Sequence, residues 1–322
     1  MTRQLTVTLE TVTPMFLAGV DNQTPELRPP SVRGQLRYWL RAALGAVVGD
    51  NLEALKRAEA EIFGDTNGTG AVQIRRMRWV GNPPQPIRED ALPHPSARSA
   101  YMWGFPAGER FELILTQHTN NQATWLAAVS SLLLMISIGG IGRRCRRGWG
   151  TVKIAGFDLS QANLVEGWAE LFSASPITST EWINYVAKII RVSKIGIKPL
   201  LVDFGISNSS RIKKQDYTVL APNLIKMFES PSYPTVKQVI SDFGEKEHIA
   251  LKNKSLPLRS IGYARGGRQA SPLWLRVLPV TNRNNKVSYI ILATLFEVDF
   301  EGKDFEAVRK FLISANFSEV SQ

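Results

Sequence analysis

The sequence predicts an α+β chain, and three observations carry that prediction. Runs of period-2 alternation, such as LTVTLETV (Leu5 to Val12), mark half-buried strands. Stretches with apolar residues every three or four positions, such as SVRGQLRYWLRAALGAVV (Ser31 to Val48), mark amphipathic helices. In the first half the two types follow in the order β, α, (α), β, β, α, β, which is the split βαβ pattern of ferredoxin-like folds.

Each element has its own warrant. In the first strand Leu5, Val7 and Leu9 face one way, Thr6, Thr8 and Glu10 the other, and Pro14 ends the run. A Pro-, Gly-, Asn- and Asp-containing loop spans Gly19 to Pro30, and Ser31 is the expected helix cap. Leu36, Leu40, Leu44 and Val47 form that helix's apolar stripe, with Arg33, Arg37 and Arg41 in line on an adjacent face, roughly 100° away. A short helix follows over Leu52 to Glu61. Strands are expected over Ala71 to Val80 and Arg110 to Gln117, an apolar helix over Ala123 to Ile138, and a closing strand over Thr151 to Leu159.

Beyond this point the pattern loosens. Glu181 to Arg191 reads as a helix, followed by irregular GIKPLLVDF and polar SNSSRIKKQDY. Ser271 to Val280 and Val287 to Phe300 read as strands around the turn TNRNNK, and Asp304 to Ile313 as a last helix. The expected division is residues 1–160, a first ferredoxin-like domain, and residues 161–322, a second and less regular sheet-and-helix domain with insertions. No fixed-period repeat is present.

Composition narrows the class. The 322 residues are 44% hydrophobic and 21% charged, ordinary for a packed globular chain. The formal net charge is +11, spread over both halves and not confined to a tail, as expected of a folded surface facing a polyanion. One cysteine, Cys145, allows neither an internal disulfide nor a cysteine metal cage, and points to a reducing, cytoplasmic setting. No apolar run reaches the ~18–20 residues a membrane helix needs, and MTRQLTVTLE lacks a signal peptide's apolar core.

The chemistry concentrates in IGGIGRRCRRGWG, Ile138 to Gly150, with five glycines, four arginines and no acidic residue. It follows a helix and leads into a strand, the reverse of dinucleotide and P-loop motifs, so no helix N-terminus faces a phosphate. The expected donors to phosphate are backbone N–H groups around Gly139, Gly140 and Gly142 and the guanidinium groups of Arg143, Arg144, Arg146 and Arg147. Such contacts hold a nucleic-acid backbone without reading bases; a solvated loop is the competing reading. Arg33, Arg37 and Arg41, beside Tyr38 and Trp39, extend the track, with core packing the better role for Trp39. Arg265 and Arg268, flanking Gly266 and Gly267, repeat the theme in the second half. Lys213 and Lys214, in a polar loop, are weaker candidates.

Catalysis has little support. His94, His118 and His248 are scattered without metal-ligand spacing, so no metal, cofactor or catalytic residue is assigned. One histidine suffices for a metal-independent ribonuclease, although surface decoration is the better reading. Asp65, in IFGDTNGTG, fits ordinary turn chemistry.

These segments, in this order, resemble the RAMP proteins of type III CRISPR effector complexes. Gly139, Gly140, Gly142, Arg144, Arg147, Gly148 and Gly150 match the family's pattern GGxGxRxRRGxG. LRPPSVRGQLRYWLRAALG, AEIFGDTNGTGAVQI and GRQASPLWLRV are similar to blocks of the first-subunit family of type III-B (Cmr) complexes. Val20 stands where that family more often has a second glycine. The resemblance implies two ferredoxin-like folds and a non-catalytic subunit at the end of the effector that holds the 3′ part of the guide RNA (crRNA). Expected partners are guide RNA, complementary target RNA and other RAMP subunits, in antiviral defence. Two rival readings remain: a metal-independent guide-RNA-processing endoribonuclease, and an assembly protein whose arginines meet acidic protein partners.

Overall fold

Alternation in the first strand does what the pleat requires. In β1 (Arg3–Thr11), Leu5, Val7 and Leu9 are fully buried while Thr6, Thr8 and Glu10 line the half-buried outer face. The structure is a computed structural model and describes residues 2–21, 23–49, 51–92, 99–176, 178–203, 218–262, 270–281, 286–298 and 303–320.

After β1 come α1 (Pro29–Val48), α2 (Leu52–Phe63), β2 (Val72–Trp79), β3 (Ile87–Asp90), β4 (Tyr101–Gly104), β5 (Arg110–Gln117), α3 (Gln122–Ser137) and β6 (Val152–Asp158). Helix α1 starts before Ser31. Arg28 stands at its N-cap without a capping side chain, and Pro29 and Pro30 preset helical φ in the first turn. The four long strands form an antiparallel sheet in the order β2-β5-β1-β6. That is the ferredoxin-like order, with both central strands contributed by split βαβ crossovers. Helix α3 is buried on all sides, as a helix apolar all round must be, and Asn121 caps it by accepting from the Ala123 and Thr124 amides. Helices cover only the inner face of this sheet. Its outer face carries ion pairs, Glu10 with Arg110 and Lys153 at 2.8 Å each. The cross-strand register places no aromatic side chain of the four strands there. The base-stacking sheet surface typical of RNA-recognition domains is therefore lacking.

The second half is more regular than its sequence. Following α4 (Ala169–Ser173) and α5 (Ser179–Asp203), it runs β7 (Ile225–Glu229), α6 (Val236–Lys252), β8 (Leu273–Thr281), β9 (Val287–Phe296), α7 (Phe305–Ser314) and β10 (Ser318–Val320). The sheet order β10-β7-β9-β8 repeats the fourth-first-third-second arrangement of the first sheet. β7, α6 and β10 escape the sequence reading, as does the small β3–β4 hairpin. Helix α5 also outruns its expected end at Arg191 and continues through Pro199. Burial against the first core of Val186, Ile189, Ile197 and Leu200 holds the helix across the proline, overriding the local cost.

Candidate nucleic-acid interface

The glycine–arginine loop is an interlock between the two sheets before it is anything else. On one side the Arg143 amide donates to the Phe16 carbonyl at 2.9 Å and the Gly150 amide to the Pro14 carbonyl at 2.9 Å. On the other, the Leu275 amide of β8 donates to the Arg146 carbonyl at 3.1 Å. The glycines answer to this packing. Gly139 lies against the Trp39 indole and Gly140 against the Gly150 carbonyl. At Gly142, φ is 95° and a Cβ would lie 2.6 Å from the Phe16 carbonyl oxygen. None of these glycines needs a ligand to explain it.

The four loop arginines divide into two pairs. Arg147 reaches Glu247 of α6 at 3.1 Å and donates to the Ile261 carbonyl at 3.3 Å. The contact with Glu247 is coulombic, since Oε1 accepts no hydrogen bond there. Arg146 stacks between Tyr38 and Trp274, 4.9 and 4.6 Å from the ring centroids, and donates to the Ser271 carbonyl. Both are structural staples, and the acidic counterpart missing from the loop lies about 100 residues downstream. Arg143 is exposed. Arg144 is half-buried at φ 61°, a left-handed conformation that favours glycine, and its side chain has no hydrogen-bond or ion-pair partner among the described residues. Burial first, then the like charge of Arg147, lowers the Arg144 guanidinium below its ordinary range.

The arginine stripe on α1 is likewise split. Arg37 and Arg41 both pair with Glu59 of α2, the first through Nε and the second at 3.4 Å, so their charges are largely taken up inside the chain. Arg33 is exposed beside Pro29, Pro30 and Phe63. Trp39 is fully buried, touching Trp274 and Phe296, as its core assignment requires. Arg265, Arg268, Lys213, Lys214 and His94 lie outside the described residues. His118 is exposed at the rim of a shallow recess, and Asp65 accepts from the Asn67 and Gly68 amides at 2.7 and 3.0 Å, which is turn chemistry.

Sequence reasoning missed Glu59, Glu247 and Arg276. A signal existed for the first: Glu59 sits in the stripe of Leu55, Ala58 and Ile62, and a carboxylate on a buried face must be paired. Arg276 of β8 is 1% exposed, donates to the carbonyls of Gly139 (3.3 Å) and Val152, and lies 4.6 Å from the Trp182 ring centroid. Burial pushes its pKa down to about 9. It is a further tie between the halves. Cys145 is buried in the loop and its thiol is pushed up to about 11 by burial. At pH 8 its thiolate fraction is then about 100-fold below that of a thiol with an ordinary pKa of 9.0. Native protein should resist iodoacetamide at that pH, and unfolding in urea should restore labelling, read by intact mass.

Among the described residues, no group of three or more His, Cys, Asp or Glu side chains is placed to hold a metal ion. No described helix is long and apolar enough to cross a membrane.

Comparison with known proteins bears on the family and the fold. Residues 8–153 match the RAMP superfamily. CRISPR system Cmr subunit Cmr1-1 of Pyrococcus furiosus is 24% identical over 294 residues, covering 84% of this chain and 82% of its own. Cmr subunit Cmr1-2 of the same organism is 28% identical over 184 residues, 45% of this chain and 92% of its own. The crystal structure of P. furiosus Cmr1 in its apo form superposes with a TM-score of 0.65 at 20% identity, over 98% of both chains. A chain of the type III-B Cmr-beta complex bound to cognate target RNA gives 0.66 at 14% identity, over 98% of this chain and 99% of that one. Residues 8–153 are thus similar to the RAMP superfamily, and over nearly its whole length the chain has the fold of the solved Cmr1 structures.

Proposed function

We propose that the chain is a non-catalytic, RNA-binding subunit of a cytoplasmic type III-B CRISPR ribonucleoprotein, holding the 3′ part of the guide RNA and assisting capture of target RNA. Support comes from likeness to Cmr1 over nearly the whole chain, including a chain from a Cmr complex bound to target RNA. The observation that carries RNA contact is Arg144. A non-glycine residue held left-handed costs roughly 1–2 kcal/mol, and such strain collects at functional positions. Here it presents a guanidinium with no hydrogen-bond or ion-pair partner among the described residues, on which Glu247 and Asp90 act only through their charge. Arg143 and Arg33, both exposed, extend the contact, whereas Arg146, Arg147, Arg37 and Arg41 act from within the fold.

Arg144→Gly separates the two roles. It should leave unfolding free energy unchanged or raised by up to about 1 kcal/mol, because glycine tolerates φ 61°. It should also weaken binding of single-stranded RNA several-fold and reduce the salt slope by roughly 0.7 for the lost phosphate contact. The measurement is an RNA titration at several salt concentrations with EDTA present. An unchanged slope would remove Arg144 from the interface, and cleavage of the RNA in EDTA would favour the endoribonuclease reading.

A further inference from the structure

The outer face of the β3–β4 hairpin is built for contact but is used by nothing else in the described chain. Tyr101 and Trp103 stand two residues apart on β4, so both point to the same side, and they are 57% and 49% exposed. Met102 between them turns inward onto the second core. Arg88 pairs in register with Trp103 across the hairpin, and its guanidinium lies 4.9 Å from the Tyr101 ring centroid. Asp90, opposite Tyr101, is taken up by the Leu92 and Ala100 amides at 3.0 and 2.9 Å.

The hairpin is anchored to the candidate interface. Trp149 of the glycine–arginine loop donates from Nε1 to the Ala91 carbonyl at 3.3 Å, and Glu89 on the inner face lies 3.7 Å from Lys237 of α6. Arg144 belongs to the loop that this Trp149 bond ties to the hairpin, and the charge of Asp90 acts on its guanidinium. Residues i and i+2 of a strand are roughly 6.6 Å apart, about twice the 3.4 Å step between bases of a nucleic-acid strand. Two aromatic faces at that spacing, with cations beside them, suit unpaired bases, each of which offers a π-face. The neighbouring charge favours a polyanion over a protein partner.

We propose that Tyr101 and Trp103 form a stacking platform for unpaired bases of a single-stranded RNA whose backbone passes Arg144, with Arg88 at the platform's edge. This rests on the RNA-binding reading above. It supplies the base contacts that the first sheet, without outer-face aromatics, does not.

The test titrates the full chain with a short single-stranded RNA carrying 2-aminopurine. Wild type is compared with Tyr101→Ala/Trp103→Ala and with Tyr101→Phe/Trp103→Phe, all checked for an unchanged melting temperature. Wild type should quench the 2-aminopurine. The double-alanine variant should lose that quench and about ten-fold or more in affinity at an unchanged salt slope, and the double-phenylalanine variant should retain both. Equal quench and affinity in wild type and the double-alanine variant would overturn the platform while leaving RNA binding intact. No RNA binding by wild type would overturn both readings. Loss of a co-purifying subunit with RNA affinity unchanged would assign the face to protein and overturn the platform alone.

Discussion

Arg147→Ala is expected to lower the unfolding free energy by about 3 kcal/mol, with little direct effect on RNA phosphate contacts. Arg147 and Glu247 are largely buried, with 21% and 15% of their side-chain surface exposed. Removing one partner of such a pair strands the other charge in a low-dielectric site, which costs about 3–5 kcal/mol when burial is complete and somewhat less here. The hydrogen bond to the Ile261 carbonyl goes with it. Glu247→Ala should cost a similar amount. The double variant should cost less than the sum of the singles, with a coupling of about 1–3 kcal/mol in urea denaturation followed by tryptophan fluorescence. An unmoved midpoint together with a flattened salt dependence of RNA binding would instead make Arg147 a phosphate ligand.

Gly150→Ala should be severely damaging, costing at least about 4 kcal/mol or preventing folding. A Cβ there would overlap the Ile141 carbonyl oxygen, and φ is 64°. Relaxation is blocked, because the same residue accepts from the Ile141 amide and donates to the Pro14 carbonyl, each at 2.9 Å. Steric overlap then adds to the left-handed penalty of roughly 1–2 kcal/mol. Gly34→Ala provides the opposite sign. Gly34 is exposed on α1 with nothing within 4 Å of an added Cβ, so alanine should stabilise by about 0.5–1 kcal/mol. Soluble yield and urea midpoints of the two variants read both effects, and a Gly150→Ala midpoint within error of wild type would refute the packing account.

Much of the fold is legible locally, because β1, β5 and β6 alternate and α1 carries a continuous apolar stripe. The hairpin is not, since IRED and YMWG have four residues each and leave aromatics in water. α6 follows a capping threonine, Thr235, yet its stripe is diluted by charged residues and passes as loop. The loop itself is conspicuous in sequence, but the contacts of Arg146 and Arg147 are made by Glu247, Ser271 and Trp274, all more than 95 residues downstream. Arginine spacing reveals a cluster of cations. Only the partners show which of them are already taken.

The burial of Trp39 beneath Trp274 and Phe296 has a consequence during synthesis. The first sheet and α1 leave the ribosome long before β8 exists, and at about 5–20 residues per second the cover for Trp39 arrives some 10–50 s later. Through that interval the nascent chain displays an uncovered aromatic surface and an unlocked cationic loop. Contacts of this sequence separation also close slowly. The protein's exposure to aggregation, and its dependence on chaperones, should therefore be concentrated in the interval before residue 274 emerges, so truncations ending short of β8 should be captured by a chaperone column while the full chain passes through.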